Sequence, residues 1–173
     1  MGDLFDFDKG LLQKDKLQSS KNDDDGKYDF ITAADEWKKH SSYSNDCEAL
    51  VYAVSAGGSL GKSQYVNGKF MCSNLCSVLT EKEESKYEIN MKFFNMYLNQ
   101  LREDIVDSLA DGTSKLTLNN DALKEYYIEY VPIEIQNSFV NNYLYNRYEE
   151  QEKKLNELEN ELKDKMEKII NPM

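Results

Sequence analysis

Leu144, Tyr148, Gln151, Leu155, Leu158, Leu162, Lys165 and Ile169 recur in alternating steps of four and three residues near the end of the chain. That period lays all eight side chains along one side of an α-helix. Six of the eight are apolar and the residues between them are mostly Glu and Lys. The stripe is therefore narrow, a coiled-coil seam rather than the broad apolar face of a helix lying along its own domain. A continuous helix over 138–170 would run about 50 Å at 1.5 Å per residue. The pattern predicts a projecting helix that needs a partner, with Gln151 and Lys165 weakening the pairing while helping to set its register.

The remainder divides by texture. Residues 1–46 are polar and turn-rich, with 19–26 reading as an exposed loop and 28–33 as a short strand. Ala49–Ser55 is a candidate buried strand running into a glycine-rich turn, Ala56-Gly57-Gly58-Ser59-Leu60-Gly61. Asn67-Gly68 between Ser63–Val66 and Lys69–Cys72 predicts a hairpin. Ser73–Thr80 reads as a further strand. Phe93, Phe94, Tyr97, Leu98, Leu101, Ile105 and Leu109 predict one helix over 90–109, stopped by Gly112. A short helical piece follows near Asp121–Glu125, and Tyr126–Val131 looks extended before Pro132.

Thirty-two acids against 21 bases give a net charge of −11, which argues against indiscriminate nucleic-acid binding. The acidity is uneven, however: segment 47–80 carries Glu48 alone against Lys62 and Lys69. The acidic start, Met1–Asp8, lacks the form of a signal peptide, and no apolar run reaches the ~20 residues of a membrane span. With three cysteines, Cys47, Cys72 and Cys76, a disulfide scaffold is not expected. The reading is a cytoplasmic chain with reduced thiols and no membrane association.

Catalytic and metal chemistry find little footing. His40 is the only histidine and falls in Lys38-Lys39-His40-Ser41-Ser42, which reads as an exposed loop. Cys72 and Cys76 have no second pair to complete a zinc site, and Asp23-Asp24-Asp25 lacks the spacing of a calcium loop. Gly61-Lys62-Ser63 resembles the end of a phosphate loop, but Ala56 stands where that motif requires glycine. The expectation is no catalytic residue, no metal and no cofactor in this chain.

The same glycines would let backbone approach a bulky ligand, with Ser55, Ser59, Lys62, Ser63 and Gln64 offering groups that suit phosphates and base edges. On composition alone, an ordinary glycine-rich turn with scattered surface lysines is the simpler reading. Four sequence pieces in order reverse it. They are Gly2-Asp3-Leu4-Phe5 leading to Lys9-Gly10, and Tyr28-Asp29-Phe30-Ile31-Thr32-Ala33. Next come Glu48-Ala49-Leu50-Val51-Tyr52 through the glycine turn to Tyr65–Phe70 and Ser73-Asn74-Leu75. Last is Gly112-Thr113-Ser114-Lys115 followed by Leu123–Tyr130 and Pro132-Ile133-Glu134-Ile135-Gln136. Together they closely resemble a target recognition domain of the specificity subunit of type I restriction–modification systems, and the heptad helix resembles that family's conserved-region helix.

The resemblance implies an α/β fold: a mixed-sheet globular target recognition domain over 1–137, followed by a long coiled-coil-forming helix over 138–173. It implies a non-catalytic subunit that recognises double-stranded DNA for modification subunits and a restriction subunit, the modification subunits using S-adenosylmethionine to methylate adenine. The family's subunit usually has two recognition domains and two helices in pseudo-symmetry, and here there is one of each, as expected of a natural half-subunit or of an excised half of a longer chain. An unpaired seam would then dimerise two copies, which read identical half-sites in opposite orientation across an unread spacer. Glu134 and Gln136 also flank Ile135, where the family more often has the two adjacent. Lys14, Lys16, Lys21, Lys38 and Lys39 are expected to position phosphates. Ser55, Gly57, Gly58, Ser59, Lys62, Gln64 and Tyr65 are expected to approach bases, with Thr113, Ser114 and Lys115 as a second contact edge. Two other readings stay open: the recognition half of a combined restriction–methylation enzyme, and an acidic module that binds or inhibits restriction subunits.

Overall fold

The computed structural model describes residues 1–9, 26–55, 57–113 and 115–170. In chain order these form β1 (Phe5–Lys9), β2 (Tyr28–Ile31), β3 (Lys38–His40), β4 (Asn45–Ala53), β5 (Ser63–Cys72) and β6 (Cys76–Glu81). The helices α1 (Met91–Gln100), α2 (Arg102–Leu109), α3 (Asn120–Glu125) and α4 (Ile133–Ile170) follow. The strands make one sheet in the order β1-β6-β4-β5-β2-β3, antiparallel throughout except where β2 runs parallel to β5. The expected mixed-sheet α/β class is observed.

Hydrogen bonds show that the central ribbon is strongly curled. Ser44 donates to Phe70 at one end of β4 and Val54 donates to Leu75 at the other. Ten residues of straight strand rise about 33 Å, whereas the five steps from Phe70 to Leu75 reach at most about 19 Å. Adding about 5 Å for each hydrogen-bonded pair still leaves the gap open. The strand must bend. Its alternate residues Ala49, Val51 and Ala53 join Val66, Cys72 and Val78 in one buried cluster, and small side chains are what a concave face admits.

The opposite face carries Leu50, Tyr52 and Leu79, all fully buried, and takes α1. Asn90 caps that helix through the amides of Lys92 and Phe93. Phe94 meets Phe5 edge-to-face at 5.4 Å. Asn99 grips Ser63 by accepting from its N–H at 2.9 Å and donating to its carbonyl at 2.8 Å. The α1 face and the start of β5 are thereby locked together.

Several expectations are corrected. Asn67-Gly68 makes no hairpin: β5 runs through it and pairs with Glu48 and Cys47 on β4. The continuous ladder to β4 overrides the local turn preference, and Gly68 (φ 107°) supplies a departure from strand dihedrals within the curled ribbon. Ser73–Leu75 is a turn, with Ser73 Oγ accepting the Leu75 N–H, and the strand begins only at Cys76. The single helix over 90–109 is two, broken at Leu101 (ψ 1°). Gly112 does not stop it; Ala110 already leaves the helix in extended geometry. Tyr126 is extended as expected, and among the described residues no strand pairs with 126–131. His40 is buried in β3 rather than exposed in a loop, its Nδ1 accepting the Ser42 N–H at 3.0 Å.

The chain separates into two compact units, Met1–Ile133 and Glu134–Met173. Helix α4 begins at Ile133, five residues before the start expected for it at 138. Leu144, Tyr148, Leu155, Leu158 and Leu162 are exposed, as are Gln151 and Lys165; the side chain of Ile169 lies outside the described residues. Among the described residues no helix is long and apolar enough to cross a membrane, and no cluster of His, Cys, Asp or Glu could hold a metal ion.

Candidate nucleic-acid interface

The connection between β4 and β5 is the glycine turn, which contains a single 3₁₀ turn at Gly57–Ser59. It closes on itself through Leu60 N–H to Gly57 O, Lys62 N–H to Ser59 O and Gly61 N–H to Ala53 O. Gly61 has φ 77° and is buried, and a Cβ there would come within 2.8 Å of Val106 Cγ2. Only glycine satisfies both demands. Gly57 and Gly58 have nothing within 4 Å of where a Cβ would stand, so that stretch of backbone is open to a large ligand.

Three loops converge beside it. Ser55, Gly57 and Ser59 from the glycine turn, Thr32, Ala33 and Ala34 after β2, Leu75 from the β5–β6 turn and Lys115 line one shallow groove of about 460 Å³. Lys115 belongs to a loop closed by paired backbone bonds between Asp111 and Thr117, and Leu118 N–H ties its far end to Val54 O. Four residues singled out from sequence thus meet in one place: Ser55, Gly57, Ser59 and Lys115. Methyl groups of Thr32, Ala33 and Ala34 supply apolar contact, while hydroxyls and one ammonium supply hydrogen bonds; this is the mixture that base edges accept.

The other sequence candidates are placed differently. Lys62 stands next to the groove but is ion-paired to Asp35. The hydrogen bond from Lys62, and then its charge, hold the Asp35 carboxyl below the usual carboxylate range. Gln64 is buried, its amide donating to Thr32 O and accepting from the Trp37 indole, both at 2.7 Å; it does not line the groove. Tyr65 lies on the other side of β5, its hydroxyl donating to Glu48 at 2.8 Å. Burial, followed by that bond, pushes it up to about 12. Lys38 and Lys39 sit exposed on edge strand β3, with Lys39 bonded to Asp29 at 2.6 Å. Gly58 lines a second, larger hollow on the α2 side of the turn, and Thr113 is exposed in the 111–117 loop. Lys14, Lys16, Lys21 and Ser114 lie outside the described residues.

Sequence reading names Thr32 and Ala33 only within a motif and misses their place in the groove beside Ala34; it passes over Asp35, Trp37 and Arg102. Arg102 donates from Nε to Leu60 O at 2.7 Å and from Nη2 to Gly58 O, which pins the turn from behind. It is one of only two arginines in the chain and Trp37 is the only tryptophan; that rarity was the available signal.

A family model for the type I restriction modification DNA specificity domain matches residues 1–163. The fold is similar to the crystal structure of a type I restriction–modification system S subunit from M. genitalium, at TM-score 0.68 and 21% identity, over 95% of this chain and 42% of that one. It is also similar to a chain from a structure concerned with complex assembly and conformational transition of the type I R-M system. That match has TM-score 0.59 and 15% identity over 97% of this chain and 42% of that one. This chain therefore spans about two fifths of the length of the solved chains it matches. A comparison with curated protein sequences finds no match.

Proposed function

We infer the role of this chain from its family: it belongs to the type I restriction modification DNA specificity domain family, and its work is to recognise a DNA sequence on behalf of subunits that act on it. The observation that carries the reading is the family match over residues 1–163, which includes the glycine turn and most of the heptad helix. The groove of Ser55, Gly57, Ser59, Lys115 and Thr32–Ala34 approaches base edges. Lys38, Lys39 and Lys62, together with Lys14, Lys16 and Lys21, position the phosphates. Phosphate contacts fix where the domain sits and base contacts decide the sequence.

The division of labour follows from the same reading. This chain supplies recognition and no catalytic group; modification subunits methylate adenine with S-adenosylmethionine, and a restriction subunit joins them for cleavage. The exposed leucines of α4 pair with a second recognition half, either a second copy or the other half of a longer chain, and present two domains to one duplex. With net charge −11, and with Lys39 and Lys62 each neutralised by a carboxylate, the isolated chain binds duplex weakly; assembly with its partners provides the tight complex. The chain acts in the cytoplasm, where the DNA is.

Methylome sequencing of cells carrying this chain with its modification subunits tests the proposal. Methylation at one bipartite sequence with an unread spacer is the expected result. A chain that stays monomeric and confers no sequence-selective methylation overturns it.

A further inference from the structure

The glycine turn that walls the groove is thin. On one side lies the groove of Ser55, Gly57, Ser59 and Lys115. On the other lies the larger hollow of about 750 Å³, bounded by Gly57, Gly58, Arg102, Glu103 and Asp107 among others. Gly57 borders both. Neither Gly57 nor Gly58 has a side chain to anchor it, and space is open around both. Val106 of α2 packs near Gly61, and Arg102 reaches the turn's backbone by hydrogen bonds: one guanidinium takes the carbonyls of Leu60 and Gly58 together. Its Cγ lies 3.1 Å from where a Gly61 Cβ would stand. Arg102 opens α2 immediately after the helix break at Leu101, so the interruption in the helix and the anchoring of the turn fall at the same point.

We propose that Arg102 is the positioning residue of the DNA-reading turn: it holds the Gly58 and Leu60 carbonyls on the α2 side and so sets the geometry of the Gly57–Ser59 backbone toward bases, without touching DNA itself. A planar fork with fixed donors can hold two carbonyls at one separation, which a lysine ammonium on a flexible stem does not. The surroundings argue against a direct phosphate contact, because Glu103 and Asp107 border the same hollow and repel a phosphate backbone there. This inference rests on the DNA-recognition reading, and its test separates the two.

The first arm needs no DNA. Hydrogen exchange in full-length Arg102→Met and Arg102→Lys is compared with the parent across the 54–64 segment and across β4. In Arg102→Met, which loses both hydrogen bonds, the amides of Leu60, Gly61 and Lys62 should exchange at least about tenfold faster, the scale of one charge-assisted hydrogen bond alone, while the middle of β4 is unchanged. Unchanged exchange at the turn overturns the proposal, and faster exchange everywhere overturns it too, since Arg102 would then be holding the whole unit. The second arm uses the parent and both variants assembled with modification subunits, a duplex bearing the methylome-defined site, and a mixed-sequence duplex. Arg102→Met should lose about tenfold in preference for the site while its mixed-sequence affinity and salt slope stay as in the parent, with Arg102→Lys recovering only part of the preference. A salt slope reduced by about one unit would make Arg102 a phosphate ligand and overturn the proposal. If the parent complex shows no site preference, the DNA reading itself has failed, and the exchange arm still decides the role of Arg102 in the turn.

Discussion

The indole N–H of Trp37 donates to Oε1 of Gln64 across 2.7 Å. Gln64 is otherwise an anomaly, a long polar side chain buried on β5. The bond explains it, because the Gln64 amide nitrogen also donates to Thr32 O at 2.7 Å. One amide thus ties the segment after β2 to the central ribbon at two points, and Thr32 borders the groove. Trp37→Phe leaves the Gln64 carbonyl buried without its donor and should destabilise the chain by about 1–3 kcal/mol. Urea denaturation reads this as a lower midpoint at unchanged slope. A midpoint equal to the parent's would mean that Trp37 contributes nothing to holding the Thr32 segment.

Asp35 is ion-paired to Lys62, and under the proposed function it competes with phosphate for that ammonium. Its side chain is 95% exposed while that of Lys62 is 21% exposed, so the carboxylate can swing away into water without breaking any packing. Asp35→Asn should therefore raise affinity for duplex DNA several-fold at low salt, with the gain shrinking as salt screens the removed charge. Acidifying to about pH 4, where an ordinary aspartate is about half protonated, should not fully imitate the substitution, because Lys62 holds the carboxyl below its ordinary range. Fluorescence anisotropy with labelled duplex across salt and pH measures both. Equal affinity of parent and variant would remove Lys62 from the phosphate-contacting set.

What could be read from sequence, and what could not, follows the range of the interactions involved. The seam of α4 is periodic and the core of β4 is a continuous apolar run, and each residue's role there depends on its own polarity and its neighbours a few positions away. Asn67-Gly68 misled because its turn preference is local, while the ribbon that absorbs it depends on pairing with Glu48 and Cys47 twenty residues back. His40 misled in the same way: its polar neighbours suggest a loop, but pairing with Tyr28 places it in a strand and packing beside Phe30 buries it. In the groove, Ser55, Gly57 and Ser59 were legible because they share one short stretch with glycine. The Thr32–Ala34 wall was not, since three small residues after a strand carry no signal until tertiary pairing brings them alongside. Gln64 and Tyr65 illustrate the remaining ambiguity. They are adjacent in sequence and both suited to base contact, yet the pleat sends them to opposite faces and the fold already engages each.

Tyr52 carries a pH dependence of predictable sign. Its ring is fully buried and its hydroxyl has no hydrogen-bond partner among the described residues. Burial pushes that hydroxyl far above the ordinary tyrosine range. An unfolded tyrosine ionises near pH 10 while the folded one stays neutral, so its contribution to stability is present below pH 10 and lost as pH rises above it. The slope is about 1.4 kcal/mol per pH unit for one proton. Tyr52→Phe should abolish that part of the alkaline decline and leave neutral-pH stability equal or slightly higher, since an unpaired buried hydroxyl is a burden. Thermal melts from pH 8 to 12 test the sign; an unchanged alkaline slope would show that Tyr52 ionises alike in both states.

The heptad seam of α4 gives the most direct test of assembly. Leu155, Leu158 and Leu162 are 58%, 54% and 59% exposed, and burying a leucine against a partner is worth about 1.5–3 kcal/mol. In a symmetric pair Leu158→Asp removes two such burials and inserts two charges, so the dimer should weaken by at least about a hundredfold. Sedimentation velocity would then show a monomer at concentrations where the parent is dimeric. Gln151→Leu should act oppositely, tightening self-association while permitting other registers and higher oligomers, because a polar seam residue trades stability for a single alignment. The two substitutions together separate a true seam from a merely greasy helix. A general apolar surface would be weakened by Leu158→Asp but would not gain new oligomeric species from Gln151→Leu. If Gln151→Leu tightens the dimer without broadening the distribution, register is set elsewhere and Lys165 becomes the residue to exchange next.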